Sequence, residues 1–378
     1  MKPRFSRIRA VALVLVASAT LGIVVTAPVA HAHPSSGPAP TVLREAGYDL
    51  RGYSVGKGNY RGAIDPQTGD LWLTNVTPME KPTESSLLRV DPNTMRVKKR
   101  FTIQRRADTG GYGTVAAAYE IAVPRSGDTV WTTGSPANQV TVWDKRTGKE
   151  RKFLSDVPHA HGVVFAEDLR VAMISTKPGA LQFFDMDTFE RLGEAKFPSA
   201  GKHLGAGMAI TDDGPSGATV TVASYYRALT QFRITRNGGS VQAKVLWNTR
   251  QGTEQHATVL ADEKKNRVYV NNINDGLSVY DLRTGRHLKD VATGKGTNSM
   301  TLMKGKLFAA NYYLGYISVL DEKTLNVTGR ISTGLLPNQL LSWKKDTFLV
   351  IDKSSTALEG GYVLNRGTDR VWKVSAAG

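Results

Sequence analysis

Arg267-Val268-Tyr269-Val270-Asn271-Asn272, followed seven residues later by Val279-Tyr280-Asp281-Leu282-Arg283-Thr284, holds the pattern that decides the fold. The first stretch is rich in β-branched and aromatic residues and reads as a strand. The second is another strand that runs into Asp-x-x-Thr, where short polar side chains bond the backbone of a tight turn. Both recur along the chain. The first series comprises Leu71-Trp72-Leu73-Thr74-Asn75, Val130-Trp131-Thr132-Thr133, Val171-Ala172-Met173-Ile174-Ser175, Thr219-Val220-Thr221-Val222, Val268-Tyr269-Val270-Asn271, Leu307-Phe308-Ala309-Ala310-Asn311 and Phe348-Leu349-Val350-Ile351-Asp352. Its members lie 39 to 59 residues apart. After each comes a member of the second series, and five of the seven carry the turn, at Asp91, Asp144, Asp185, Asp281 and Asp321.

Adding a leading strand (Gly62 to Asp65 in the first unit) and an outer strand (Val97 to Ile103) makes each unit a four-stranded antiparallel meander. One such sheet cannot bury both of its faces. Seven stacked around an axis can. Residues 45–378 give about 48 residues per unit, within the range of propeller blades. The expected fold is therefore all-β: a seven-bladed β-propeller of four-stranded antiparallel blades, preceded by a signal peptide. An irregular sandwich or barrel is the competing architecture, and no helical periodicity supports α/β units.

Lys2, Arg4, Arg7 and Arg9 precede an apolar run from Ala10 to about Ala27, and Ala30-His31-Ala32 offers a cleavage site. Residues 1–32 read as a signal peptide for the general secretory route, 33–44 as a flexible linker and 45–378 as the propeller. The competing reading keeps the segment as an anchor, but Ser18, Thr20 and Gly22 interrupt it and no basic stop-transfer residues follow. The whole chain has 49 Lys+Arg against 33 Asp+Glu, a net charge of +16. Removing four basic residues with the leader leaves 45 − 33 = +12. The absence of cysteine excludes disulfides, thiol nucleophiles and cysteine-ligated zinc.

Two blades depart from the repeat. From second to third strand the middle blades need 12–14 residues, the first needs 19 (Trp72 to Asp91) and the last 24 (Leu349 to Lys373). First and last blades are neighbours in a closed ring. The two insertions, Val76–Ser86 and Lys353–Asp369, are thus expected side by side on one face, where long loops carry function. That face also holds the connections between blades. Its candidate ligand-binding residues are Lys57, Tyr60, Glu120, His161, Lys202, Tyr225, Tyr226, Arg227, His256, Asn298, Tyr312 and Asn338. Glu120, His161, His256, Asn298 and Asn338 fall near the mouth of the central channel.

The chemistry of this set is cationic and aromatic. Lysines and arginines along a backbone, with tyrosines on which bases stack, suit single-stranded nucleic acid or another polyanion. Carboxylates for a calcium or catalytic metal site are few. Three histidines from three blades offer zinc or copper ligands only if their depths match. No Gly-x-Ser-x-Gly elbow, phosphate loop or His-Glu-x-x-His occurs.

Leu71 to Asn75 and Arg267 to Asn272, each followed by a strand ending near Asp-x-x-Thr, resemble YVTN β-propeller repeats. Ser54-Val55-Gly56-Lys57-Gly58-Asn59-Tyr60 looks like the start of the YncE family, and Leu88-Arg89-Val90-Asp91-Pro92-Asn93-Thr94 resembles that family's first turn. The fourth unit departs with Ile234-Thr235-Arg236-Asn237-Gly238, and the seventh ends without the turn. The resemblance implies a secreted or periplasmic propeller, with single-stranded DNA binding known for the family's namesake. Lys57 and Tyr60 are the candidates that lie in a shared motif. Glu254-Gln255-His256 is also similar to the Glu-x-His of the streptogramin lyase, a metal-dependent propeller enzyme.

Three functions follow as expectations. The first is a secreted or envelope-associated, non-enzymatic and monomeric binding protein, without a cofactor, that takes single-stranded nucleic acid or an acidic polymer. The second is a lyase or lactonase-type enzyme with a metal at the channel mouth. The third is a scaffold for cell-envelope proteins.

Overall fold

The computed structural model describes residues 38–77, 82–104, 117–177, 179–198, 205–224, 228–250, 258–272, 276–333, 336–353 and 369–377. These form seven antiparallel sheets, and in six of them strand follows strand in chain order. The first contains Asn59–Ile64, Leu71–Thr77, Glu84–Asp91 and Arg96–Thr102. The next five begin at Ile121, Val163, Gly205, Val259 and Thr297 and have four strands each. The fold is a seven-bladed β-propeller.

The seventh blade is assembled from both ends of the described chain. Pro337–Lys344, Thr347–Asp352 and Val371–Ala376 are its inner three strands. Its fourth is Tyr48–Tyr53, paired antiparallel with Val371–Ala376 from Tyr48 opposite Ala376 to Tyr53 opposite Val371. Thr41–Glu45 then adds a fifth strand outside it. This corrects the sequence reading in two ways. The stretch assigned to linker, 33–44, ends in strand, because Thr41 to Arg44 pair with Asp49 to Gly52. The last blade has five strands, and it needs no outer strand of its own after Ala376. The leader, 1–32, lies outside the described residues.

Each seam between blades has its own apolar core, which explains why the second and third strands are almost wholly buried. Trp131, Phe165 and Phe184 fill the seam of blades two and three, and Phe183, Phe197 and Phe232 the next. Phe308, Phe348 and Trp372 fill the seam of blades six and seven. Tyr53, Leu71, Leu88, Leu349 and Val371 close the ring between seven and one. A strand buried on both faces reads as a continuous apolar run, as these do. Gly52 is small for a reason found in the same blade. A Cβ there would stand 2.6 Å from the Trp372 indole.

The Asp-x-x-Thr turns do what their spacing implies. Asp144 Oδ1 accepts from the Arg146 and Thr147 amides at 3.0 and 2.7 Å and from the Thr147 hydroxyl at 2.8 Å. Asp281 and Asp321 repeat the arrangement. The residue after each threonine is left-handed: Met95, Gly148, Phe189, Gly285 and Leu325. In three of the five that residue is not glycine. Burial of the Met95 and Leu325 side chains offsets the strain there. A further turn of this kind, Asp65 to Thr68, joins the first two strands of blade one and escaped the sequence reading.

Two outcomes are expected. Gly52→Val should destabilise the fold by about 1–3 kcal/mol through overpacking against Trp372, measured by denaturant unfolding, whereas Val42→Ser, on an exposed side chain, should stay within about 0.5 kcal/mol. The second concerns acid. Arg151 first, and the Thr147 amide next, hold the Asp144 carboxyl below the ordinary carboxylate range. A depressed folded pKa contributes stability that is complete above the unfolded value near ~3.9 and is lost as pH falls below it. Asp144→Asn should therefore lower the melting temperature at pH 7 and narrow its difference from wild type toward pH 2.

Candidate functional site

The polar side chains of one face gather where the first and last blades meet. Gly58 is the joint. Its amide and that of Asn59, the latter at 2.9 Å, donate to the buried Asp369 carboxylate, and its carbonyl accepts from Val76. The two long insertions thus touch opposite sides of one glycine, as their spacing predicts. Both ends of the first insertion lengthen the hairpin, with Val76 opposite Ser85 and Thr77 opposite Glu84. Residues 78–81 and 354–368 lie outside the described residues.

The asparagines that end the second strands explain part of the repeat. Asn75 Nδ2 donates to Asn59 Oδ1 at 2.6 Å. Asn271 accepts from the Thr258 amide at 2.7 Å and donates to the Thr297 carbonyl at 2.9 Å. Asn311 accepts from the Thr297 hydroxyl at 2.9 Å. Each pins the chain approaching an innermost strand to the strand beside it.

Above the channel a row of rings and one ammonium crosses four blades. The Tyr119 and Tyr60 rings meet edge to face at 5.1 Å. Lys353 Nζ lies 4.2 Å from the Tyr60 centroid and 5.5 Å from that of Tyr312. Tyr312 in turn meets Tyr313 at 5.2 Å. Tyr119, Tyr312 and Lys353 are buried, whereas Tyr313 is 54% exposed beside Leu314. Burial pushes the Tyr312 phenol above its ordinary range, and Tyr313 reinforces the shift. For Lys353, burial first and then the Arg61 charge pull the ammonium down to about 7, against the opposing fields of Glu120 and Asp369.

Below the row lies the channel. Its cavity of about 180 Å³ draws lining residues from all seven blades, among them Arg61, Glu120, His161, Met208, Thr258, Ser299 and Gln339. Arg61 Nε donates to Glu120 Oε1 at 3.1 Å, and its guanidinium also donates to the Asn338 carbonyl across the closing seam. Asn298 Nδ2 donates to Asn338 Oδ1 at 2.9 Å, and Asn338 donates to the Tyr60 carbonyl. His161 keeps part of its surface in the channel, and burial lowers its pKa, with the Glu120 and Arg61 charges acting in opposite directions. It is a neutral imidazole near pH 7.

Six of the twelve candidates from sequence therefore share this region: Tyr60, Glu120, His161, Asn298, Tyr312 and Asn338. Lys57 does not. It is exposed and lines a separate polar groove of about 510 Å³ with Asn75, Glu84 and Arg100. Lys202, Tyr225, Tyr226, Arg227 and His256 lie outside the described residues. Lys353, Asp369 and Tyr119 were not among the candidates. Lys353 and Asp369 marked only the ends of an insertion, and a lysine next to a buried strand looks like a solvated loop residue. Among the described residues no three His, Asp or Glu side chains gather as a metal would require. No protein-family model and no curated protein matches the chain.

The lowered Lys353 pKa has a thermodynamic sign. Between about 7 and the ordinary lysine value near ~10.4, the unfolded chain holds a proton that the folded chain has released. Stability at this position therefore rises with pH across that window. Lys353→Met should melt higher than wild type at pH 6, and the difference should shrink toward pH 10, as read by thermal unfolding across pH.

Proposed function

We propose that this chain is an exported, non-catalytic binding propeller of the YVTN and YncE type. Its ligand is single-stranded nucleic acid, held on the face above the channel mouth. The observation that carries this reading is the row Tyr119–Tyr60–Lys353–Tyr312–Tyr313, with Arg61 beneath it. Cations and rings in one file match a strand of alternating phosphates and bases, and a base stacked on an aromatic ring is worth about 1–3 kcal/mol. Most of the row is buried, so its exposed end, Tyr313, is the stacking surface. The inner rings and Lys353 supply a packed floor, with the Arg61 guanidinium beneath. The YVTN-type reading draws support from the strand-ending asparagines, whose bonds give the motif a structural reason. Export rests on the basic, apolar and small-residue segments of the leader.

Fluorescence titration of the mature protein with labelled single-stranded and duplex oligonucleotides of equal length, across salt, tests the proposal. Single strands should bind more tightly, with log K falling linearly in log salt by about 0.7 for each phosphate engaged. Tyr313→Ala should weaken binding about fivefold or more. Absence of binding at low salt, or a Tyr313→Ala protein that binds as wild type does, would remove this reading.

A further inference from the structure

At the far end of its strands from the channel mouth, the closing seam gathers cations without a counter-ion. Thr347–Asp352 leads back from Lys353 to that end, a strand of six residues and about 20 Å. There Trp343 and Lys344 end the innermost strand of blade seven. Lys373 stands on the third strand, directly opposite Arg51 on the fourth. Blade one reaches the same place through the turn Asp91-Pro92-Asn93-Thr94. Two ammoniums converge on that turn. Lys344 Nζ donates to Asn93 Oδ1 at 2.9 Å, and Lys373 Nζ donates to the Asn93 carbonyl. Both also lie against one indole, 4.2 and 5.4 Å from the Trp343 centroid, and Lys373 is 5.0 Å from that of Tyr53. Lys373 is half-buried, whereas Lys344 and Arg51 are exposed.

The carboxylates of the junction are engaged elsewhere. Asp91 takes the Asn93 amide, the Asn93 side chain and the Thr94 hydroxyl. Asp49, two residues before Arg51, is paired with Arg44 at 3.6 Å. Asp346, in the turn after Lys344, accepts from the Thr347 hydroxyl at 3.3 Å. Among the described residues, none of Lys344, Lys373 and Arg51 forms an ion pair. Like charges directly opposite across a sheet are destabilising. Burial first, and the Lys344 charge next, pull the Lys373 ammonium below the ordinary lysine range; Asp91 opposes the fall and Arg51 adds to it.

We propose that this junction is a binding site for a dianionic phosphate group, either inorganic phosphate or the phosphomonoester end of a larger molecule. Each lysine presents three N–H donors, and Asn93 takes one from each. Two ammoniums held on the oxygens of one asparagine stand within reach of different oxygens of one tetrahedral anion. Lysine binds phosphate as a point charge, through charge-assisted hydrogen bonds. Arg51 adds a third charge from the neighbouring strand. Contact with the Trp343 and Tyr53 rings restricts the long lysine side chains before a ligand arrives, which lowers the entropy lost on binding. A monoanion, such as a carboxylate or a phosphodiester, leaves two of the three cations unanswered. That sets the junction apart from the row on the opposite face, whose proposed ligand carries phosphodiesters.

The test uses the mature protein at pH 8, where phosphate and its monoesters are dianions. Calorimetry and thermal shift compare inorganic phosphate, glycerol 1-phosphate, dimethyl phosphate and acetate at constant ionic strength. Concentrations stay at or below about 10 mM, so that general stabilisation by excluded phosphate is small. Inorganic phosphate should bind, with dimethyl phosphate and acetate about tenfold weaker or more. Glycerol 1-phosphate binding as tightly as inorganic phosphate identifies a phosphomonoester as the ligand, and much weaker binding identifies the free ion. Lys373→Met, which keeps the half-buried stem, and Lys344→Gln should each weaken inorganic phosphate about fivefold or more. Lys344→Gln changes an exposed side chain, so it decides the matter even where Lys373→Met folds poorly. No binding of inorganic phosphate, binding no tighter than that of acetate, or unchanged affinity in Lys344→Gln would overturn the proposal. None of these measurements involves an oligonucleotide, so the two readings fail independently.

Discussion

A ring of stacked sheets has one seam that sequence-local hairpins cannot make. Blades one to six are each closed by strands that follow one another, and loop closure between neighbours is entropically mild. The seventh must join residues more than three hundred positions apart. Here the join is the pairing of Tyr48–Tyr53 with Val371–Ala376, and the apolar seam of Tyr53, Leu71, Leu349 and Val371 lies beside it. Without that pairing the seventh blade exposes an unpaired edge and its neighbours lose a packed face. A chain without cysteine has no covalent clamp to substitute. The added fifth strand, Thr41–Glu45, moves the open edge one strand further from the join. It also ties blade seven to its neighbour, since Glu45 accepts from the Ser332 amide.

The candidate site grows out of the same seam. Gly58 and Asn59 come within six residues after the closing strand, and Asp369 stands two residues before its partner. The bond between them is therefore part of the closure as well as part of the site. Lys353 stands on the third element of the junction. Ammonium, carboxylate and guanidinium are costly to bury singly, and the assembly balances them: Arg61 against Glu120, and Asp369 against two backbone amides. Lys353 is buried among them, and that burial, with the Arg61 charge second, lowers its pKa.

How much of this was readable in advance follows from the range of each interaction. The Asp-x-x-Thr turns are local, so Asp144 and Thr147 announce their hydrogen bonds by spacing alone. The blade count came from largely apolar runs such as Phe348 to Ile351, since a strand buried on both faces admits few polar residues beyond small ones such as Thr132 and Thr221. The closing strand was missed for the opposite reason. Tyr48-Asp49-Leu50-Arg51-Gly52-Tyr53 alternates like many half-buried strands, and nothing within it names a partner beyond residue 370. Glu120, His161, Asn298 and Asn338 were legible from their register ahead of innermost strands. Lys353 and Asp369 were not, since their burial depends on contacts with residues some three hundred positions away, such as Asp369 with the Gly58 and Asn59 amides.

Sevenfold repetition explains why those departures matter. Identical units place identical side chains around the channel, and a ring of like residues has no direction. Binding an unsymmetrical molecule requires that the symmetry be broken. In this chain the polar positions facing the channel run from Arg61 and Glu120 through His161 to Thr258, Ser299 and Gln339, while Gly207 and Met208 leave the fourth blade's sector apolar. The ion pair and the imidazole occupy blades one to three, with apolar surface from Ile121 and Val164 beside them and from Met208 and Val259 further round. Drift would leave such substitutions unrelated to one another; here they line one cavity and give each blade a different side chain toward it.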